Sequence, residues 1–347
     1  MHLLCYYVSI SVAALSVLKL STATEECSEP PVIAEKEVDF FLYTKQTALF
    51  PIDTNDEQTI LNAPLAEGSD KIVFIVHGYS EHHDNKTMDA IRLAYKNKED
   101  DSNVIMVDYF KIANTAKGYV KSVCAVSAIS KIIAECIALL KKLRAEITNY
   151  HVIGFSMGAH VACKVGTILA DQDIMLDRVT ALDPAKPLFS GPKNEVNRSC
   201  AKFVDVIHTN INIIGMGEPS GTADIYINDG QNQPDCYKKT GLVDMCNHIT
   251  APFFYAATIT DGDKYKATHC FDYKEEGSVN GECAQLYDDY RREDFKAIVV
   301  ICSANVDSTK TVVVGEYMPS DSKGVYQLQF KESLTGIPDP IQSSPSL

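Results

Sequence analysis

The stretch that most constrains this chain is residues 150–166, YHVIGFSMGAHVACKVG. A short apolar run predicts a strand, Gly154-Phe155-Ser156-Met157-Gly158 a sharp turn, and the apolar, helix-forming residues after it a helix. The Gly-x-Ser-x-Gly spacing has a steric reason. In so tight a turn, side chains two positions either side of the serine would strike neighbouring backbone, and glycine at 154 and 158 removes them. Ser156 then stands at the apex, with the Met157 amide at a helix N-terminus where it can donate to an oxyanion. Taken alone, the stretch is also compatible with a glycine-rich connection that has no chemistry, so the rest of the chain has to decide.

The surroundings read as a layered α/β structure. Residues 71–76, KIVFIV, form a continuous β-branched run, as in a strand covered on both faces, and lead into His77-Gly78-Tyr79. Residues 103–109 repeat the pattern and include Asp108 near their end. Helices are predicted over 86–95 and 119–146, the second with Val120, Val123, Val126, Ile129, Ile133, Ile137 and Leu140 every three or four residues. Further strands are expected at 38–43, 177–183, 201–209 and 222–228, and a turn-rich connection at 51–68. This alternation implies a doubly wound, mostly parallel sheet with right-handed crossovers, and the Gly-x-Ser-x-Gly turn set in such a sheet resembles the elbow of an α/β-hydrolase fold. From about residue 264 the alternation fails. Residues 297–300, 311–314 and 325–330 are expected as strands of a small antiparallel C-terminal β appendage. Residues 24–347 are read as a single domain.

Charge and cysteine usage narrow the partners. The 347 residues carry a formal net charge of -14 with no block of Lys or Arg, which excludes nucleic acid and electrostatic adhesion to acidic membranes. Contact with a lipid surface would be apolar. Residues 1–23 read as a secretory signal peptide: an apolar run over 3–18, then Ser21 and Ala23 at positions three and one before the cut, although early positive charge is missing and Lys19 comes late. No later run is expected to span a bilayer. Cleavage would remove Cys5 and leave ten of the eleven cysteines, an even number in an oxidising compartment, so disulfides are expected. Asn85 and Asn197 fall in glycosylation sequons.

Reactive groups of open α/β sheets collect at the carboxyl ends of the strands, where Ser156, Asp183 and Asp108 all lie. Asp183 is the preferred acid because it follows the serine, as the serine, acid, histidine order requires, and Asp108 is left as a structural acceptor. Among the histidines, His77 and His208 read as packing residues and His160 is carried away from the apex. His82 and His83 lack the further ligands of a metal site. His248, after Cys246-Asn247, remains as the base.

These residues resemble the pancreatic lipase type of secreted lipases, and within it the short insect phospholipases A1 of wasp venoms. The likeness covers about residues 27–257 and rests on HGY (77–79), VDY (107–109), GFSMGAH (154–160), LDPAKPLF (182–189), VDVIHT (204–209), GTADIYINDGQNQPDC (221–236) and CNH (246–248). The resemblance implies Ser156 as nucleophile, Asp183 as acid, His248 as base, the amides of Tyr79 and Met157 as oxyanion donors, and a lid disulfide between Cys236 and Cys246. Phe155 stands where the family usually has histidine, Tyr109 where tryptophan is common, and the chain has no tryptophan. Beyond about residue 258 the likeness is patchy, and no C-terminal β-sandwich domain is expected, hence no colipase partner. The implied activity is phospholipase A1, acting as a monomer on phospholipid at a lipid surface without metal or organic cofactor. The alternatives are a triacylglycerol lipase and an inactive lipase-fold lipid-binding or yolk-type storage protein. Only nine residues, 237–245, lie between the lid cysteines, and the loop at 210–223 is also short, which favours phospholipid. The other cysteines are left unassigned, with Cys163 a candidate buried free thiol.

Overall fold

The computed structural model describes residues 27, 35–114, 116–189, 196–211, 213–234, 236, 242–270, 306–330 and 334. Residues 1–23, 237–241 and 297–300 lie outside them. Eleven strands form one sheet: β1 (Asp39–Tyr43), β2 (Phe50–Ile52), β3 (Lys71–Val76), β4 (Asn103–Asp108), β5 (Asn149–Phe155), β6 (Arg178–Leu182), β7 (Phe203–His208), β8 (Ala223–Ile227), β9 (Lys266–Cys270), β10 (Val306–Val313) and β11 (Gly324–Leu328). Their order across the sheet is β10-β9-β11-β8-β7-β6-β5-β3-β4-β1-β2. From β4 through β11 every pairing is parallel, while β1, β2, β9 and β10 pair antiparallel at the two edges.

Parallel strands need both faces covered, and their sequences meet that need. Helices α1 (Glu57–Leu61), α3 (Tyr119–Leu143) and α4 (Met157–Ala170) share one core with Ile72, Phe74, Val152 and Val204. Helices α2 (Lys86–Asn97) and α5 (Val243–Thr260) cover the other face, against Val73, Ile75, Ile153 and Ile207. The i, i+4 series Ile129, Ile133 and Ile137 is wholly buried, each side chain contributing about 1.5–3 kcal/mol by leaving water. Contrary to the sequence reading, α3 is long and apolar enough to cross a membrane, but here it is a core helix whose inner face lies on α4, with Ser130 Oγ donating to Val161 O.

Two further expectations change. The 51–68 connection holds a strand and a short helix. Pro51 is tolerated in β2 because that strand lies at the sheet edge, and Asp56 caps α1 by accepting from the Gln58 amide. The C-terminal strands form no separate appendage: β11 enters the main sheet beside β8, with β9 and β10 outside it. Residues 315–317 lock this segment under the sheet. Arg178 pairs bidentately with Asp205 and also donates to the carbonyls of Gly315 and Glu316. The buried Glu316 carboxylate accepts from Lys71, Tyr95 and Tyr255.

Register places the chemistry. Val76 lies beside Gly154, Phe155 beside Leu182, and Leu182 beside Ile207. His77, Ser156, Asp183 and His208 therefore emerge from four consecutive strands along one rim.

Candidate active site

At the end of β5 the chain turns into α4 through Ser156, whose φ of 56° is in the left-handed region. A serine accepts this strain only where the surroundings hold it. Ser156 N donates to Leu182 O, and its carbonyl accepts from the Ala159 and Ala185 amides. The two glycines are required by close approach: a Cβ on Gly154 would fall 2.1 Å from Gly158 O, and one on Gly158 2.4 Å from His77 O. A Cβ on Gly78 would meet Ser156 Cβ at 3.2 Å, so the turn after β3 lies directly against the serine. Among the described residues no acceptor takes the amides of Met157 and Tyr79, while those around Tyr79 are engaged: Gly78 N by Glu81 and Ser80 N by Ala113 O.

Asp183 leaves β6, the strand next to the elbow, in a left-handed conformation with φ 41°. Its Oδ1 accepts the amides of Thr209 and Asn210 at 2.8 and 2.9 Å, and its Oδ2 lies 2.5 Å from His248 Nδ1. Three donors thus converge on a fully buried carboxylate. With Nδ1–H donating to Asp183, the lone pair of His248 is on Nε2, where a proton can be taken up. The first turns of α5 carry His248, and its neighbours fix that end. Cys246 is bonded to Cys236, Asn247 Oδ1 accepts from Gln233 N at 2.9 Å, and Asn210 Nδ2 donates to Asp244 O at 3.0 Å. The Phe155 ring lies 4.7 Å from the imidazole. Sequence reasoning missed Thr209, Asn210, Gln233 and Glu81. Thr209 and Gln233 had a signal, inside the VDVIHT and QNQPDC motifs.

A Lipase family model matches residues 5–288. The chain belongs to the lipase family. It is 33% identical to lipase member H of Oryctolagus cuniculus over 190 residues, 53% of this chain and 41% of that protein. It is 32% identical to the pancreatic triacylglycerol lipase of Sus scrofa over 266 residues, 69% of this chain and 57% of that one. The chain spans about half the length of the curated relatives it matches. Among solved structures, an esterase of Pyrococcus furiosus is 20% identical with a TM-score of 0.28, over 40% of this chain and 61% of that one.

Within this lipase-family chain the other polar candidates have structural partners. Asp108 ends β4, two strands from the elbow, and accepts from His83 Nδ1 at 2.6 Å and from the Phe110 amide at 2.9 Å. Burial pushes its carboxyl up, but neighbouring His77 and His83 and that amide outweigh it and hold the carboxyl far below the usual range. The Asp108 hydrogen bond in turn raises His83. His77 Nδ1 bonds Gly78 O while its Nε2 accepts the Tyr109 amide, His160 bonds Ala185 O, and His208 bridges Met216 O and Asp224. His82 stacks on Phe110, and among the described residues no group of His, Cys, Asp or Glu could hold a metal ion. Cys163 is not the free thiol the sequence suggested. It is bonded to Cys200, because Gly166 lets the Cys200 main chain lie on α4 where a Cβ would come within 1.9 Å of Cys200 O. Cys136 is the buried free cysteine among the described residues, and burial pushes its thiol up. Cys27 is bonded to Cys124.

Proposed function

We propose that this lipase-family chain is a secreted carboxylic ester hydrolase of lipids, a phospholipase A1 that cleaves the sn-1 acyl ester through Ser156, Asp183 and His248. The observation that carries the reading is the 2.5 Å His248 Nδ1–Asp183 Oδ2 contact on the rim where the strained elbow presents Ser156. In this reading His248 Nε2 takes the Ser156 proton as Oγ attacks the ester carbonyl, and Asp183 holds the tautomer and stabilises the imidazolium. The amides of Met157 and Tyr79 receive the developing oxyanion. His248 then protonates the departing alcohol, and water, activated by the same base, releases the fatty acid. No metal or organic cofactor enters these steps.

Substrate class follows from the rim. The Cys236–Cys246 disulfide closes a ring too small for a broad lid, and residues 237–241 of that lid lie outside the described residues. The loop at 210–223 is held flat: Lys186 N donates to Ile214 O and Met216 N to Pro184 O, both at 2.7 Å. Ile213, Leu242 and Met245 are 58%, 39% and 45% exposed, and Asn210 ties their two loops together through Asp244. A short apolar rim of this kind suits one acyl chain with the head group left in water, on a surface met by apolar contact rather than charge. Secretion, loss of residues 1–23, glycosylation at Asn85 and Asn197, and action as a monomer without colipase belong to the same reading.

The similarity to a pancreatic triacylglycerol lipase supports a second reading, a neutral lipase. Phosphatidylcholine carrying different sn-1 and sn-2 chains, with products identified by mass spectrometry beside a triglyceride emulsion, separates them. Release of the sn-1 acid is expected. Release of the sn-2 acid, or a far faster rate on triglyceride, would overturn the phospholipase A1 assignment, and hydrolysis of neither would point to a storage role.

A further inference from the structure

The turn after β3 contains a side chain that neither the triad nor the oxyanion donors account for. Glu81 reaches back so that Oε2 accepts the Gly78 amide at 2.8 Å, while Oε1 accepts the Thr87 hydroxyl at 2.5 Å. Thr87 is buried in the first turn of α2, so one carboxylate joins the turn to the helix below it. The rest of the turn is pinned as well. Ser80 adopts φ 62° with its amide on Ala113 O, and Glu81 N points at Gly78 O. Among the described residues, three of the four amides from Gly78 to Glu81 have acceptors, and the one left over is that of Tyr79. The carboxylate also sits close to the reacting group: a Cβ on Gly78 would meet Glu81 Oε2 at 3.1 Å and Ser156 Cβ at 3.2 Å.

We infer that Glu81 is a positioning residue for oxyanion stabilisation: by consuming the Gly78 amide and anchoring to Thr87, it fixes the 77–78 peptide and with it the direction in which the next peptide presents Tyr79 N–H to the ester oxygen. This rests on the proposed hydrolase reading. Preorganised donors stabilise charge only if they do not have to reorient as it develops. Without the carboxylate, Gly78 N–H is left unpaired against the site, the 77–78 peptide loses its anchor, and the turn that presents Tyr79 N–H is held only through Gly78 O, which bonds His77 Nδ1 and Glu81 N. The interaction uses hydrogen-bond geometry rather than net charge. A glutamine can satisfy both ends, its carbonyl accepting from Gly78 N–H and its amide donating to Thr87 Oγ1.

Steady-state hydrolysis of p-nitrophenyl butyrate, a soluble ester, tests this in the full chain with Glu81→Ala, Glu81→Gln, Thr87→Val and the Glu81→Ala/Thr87→Val pair. Glu81→Ala should lower kcat about 10- to 100-fold with KM within about twofold. Glu81→Gln should restore kcat to within about threefold of wild type, and the double variant should be no worse than Glu81→Ala, since both break one clamp. A trifluoromethyl ketone, which forms the tetrahedral adduct, should lose affinity in parallel with kcat/KM across the set. The inference is overturned if kcat of Glu81→Ala stays within twofold of wild type, or if glutamine fails to rescue it. Should Glu81→Ala not fold, Thr87→Val decides: kcat lowered at constant KM supports the clamp, and wild-type kcat overturns it. A Ser156→Ala variant that kept its activity would instead defeat the hydrolase reading itself.

Discussion

Asp183→Asn is the perturbation whose outcome the geometry fixes most fully. The two Asp183 oxygens are not equivalent: Oδ1 is held by the amides of Thr209 and Asn210, and Oδ2 faces His248 Nδ1. An asparagine must keep its one carbonyl oxygen against the two amides, because turning –NH2 toward them would set it against two buried donors. Its –NH2 then faces His248, Nδ1 becomes an acceptor, and the proton moves to Nε2. The imidazole can no longer take a proton from Ser156. The loss should be about 10⁴-fold in kcat, the scale known for a wrong tautomer in a serine triad, equivalent to about 5 kcal/mol of activation free energy. Stability should change by only about 1–2 kcal/mol, because the amide anchors survive. Hydrolysis of a soluble p-nitrophenyl ester measures the rate, and thermal unfolding confirms the fold. A kcat within tenfold of wild type, in a protein with wild-type unfolding behaviour, would refute the tautomer argument and with it the acid role of Asp183.

Other outcomes follow from the same hydrogen bonds and close approaches. Asp108→Asn should cost less than tenfold in activity but change the pH dependence of stability. His83 is raised by Asp108, so its contribution is whole below the unfolded value of about 6.5 and fades as pH rises through the higher folded value. Asp108 is depressed, so its contribution holds above about 3.9 and fades as pH falls through the lower folded value. The gap in Tm between wild type and Asp108→Asn should therefore be widest between those limits, and a gap independent of pH would contradict the pairing. Gly154→Ala should prevent folding or lower Tm by more than about 10 °C, since the methyl has only main chain to displace; a Tm within about 2 °C of wild type would show that the elbow relaxes. Glu316→Gln should cost about 3–5 kcal/mol by denaturant unfolding, because Lys71 would face no charge and two buried tyrosines would share a weaker acceptor. Burial would raise the Glu316 carboxyl, yet Lys71 and Arg178 keep it low, so that charge is present at neutral pH.

How much was legible in the sequence depends on which force placed each residue. Strands β3 to β8 are covered on both faces, so burial writes itself as uninterrupted runs such as KIVFIV, and the glycines of the elbow announce a collision that side chains would cause. The preference for Asp183 over Asp108 rested on chain order. In space it corresponds to β6 lying next to β5, whereas β4 is separated from β5 by β3. Edge elements were harder. β2 is three residues long with a proline at its centre, and nothing periodic in β11 says that it will pair with β8 rather than stand apart. The Cys163–Cys200 bond depends on how closely one loop approaches α4, a distance set by Gly166 and absent from any spacing rule. Thr209 and Asn210 serve Asp183 through main-chain amides, and Gly78 meets the Glu81 carboxylate through its own main-chain amide. Contacts made by the backbone leave little imprint on side-chain identity, so no motif reveals them.

The most direct test of the account is covalent labelling of the full chain with a fluorophosphonate, followed by intact-mass measurement and peptide mapping. A fluorophosphonate reacts with a serine only where a neighbouring base takes its proton and amides hold the resulting oxyanion. The arrangement of Ser156, His248 and Asp183 predicts one adduct per chain, on Ser156, formed together with complete loss of esterase activity. Ser156→Ala should take no label while unfolding at the wild-type temperature. An adduct on another residue, or a Ser156→Ala protein that still turns over ester, would contradict the central claim.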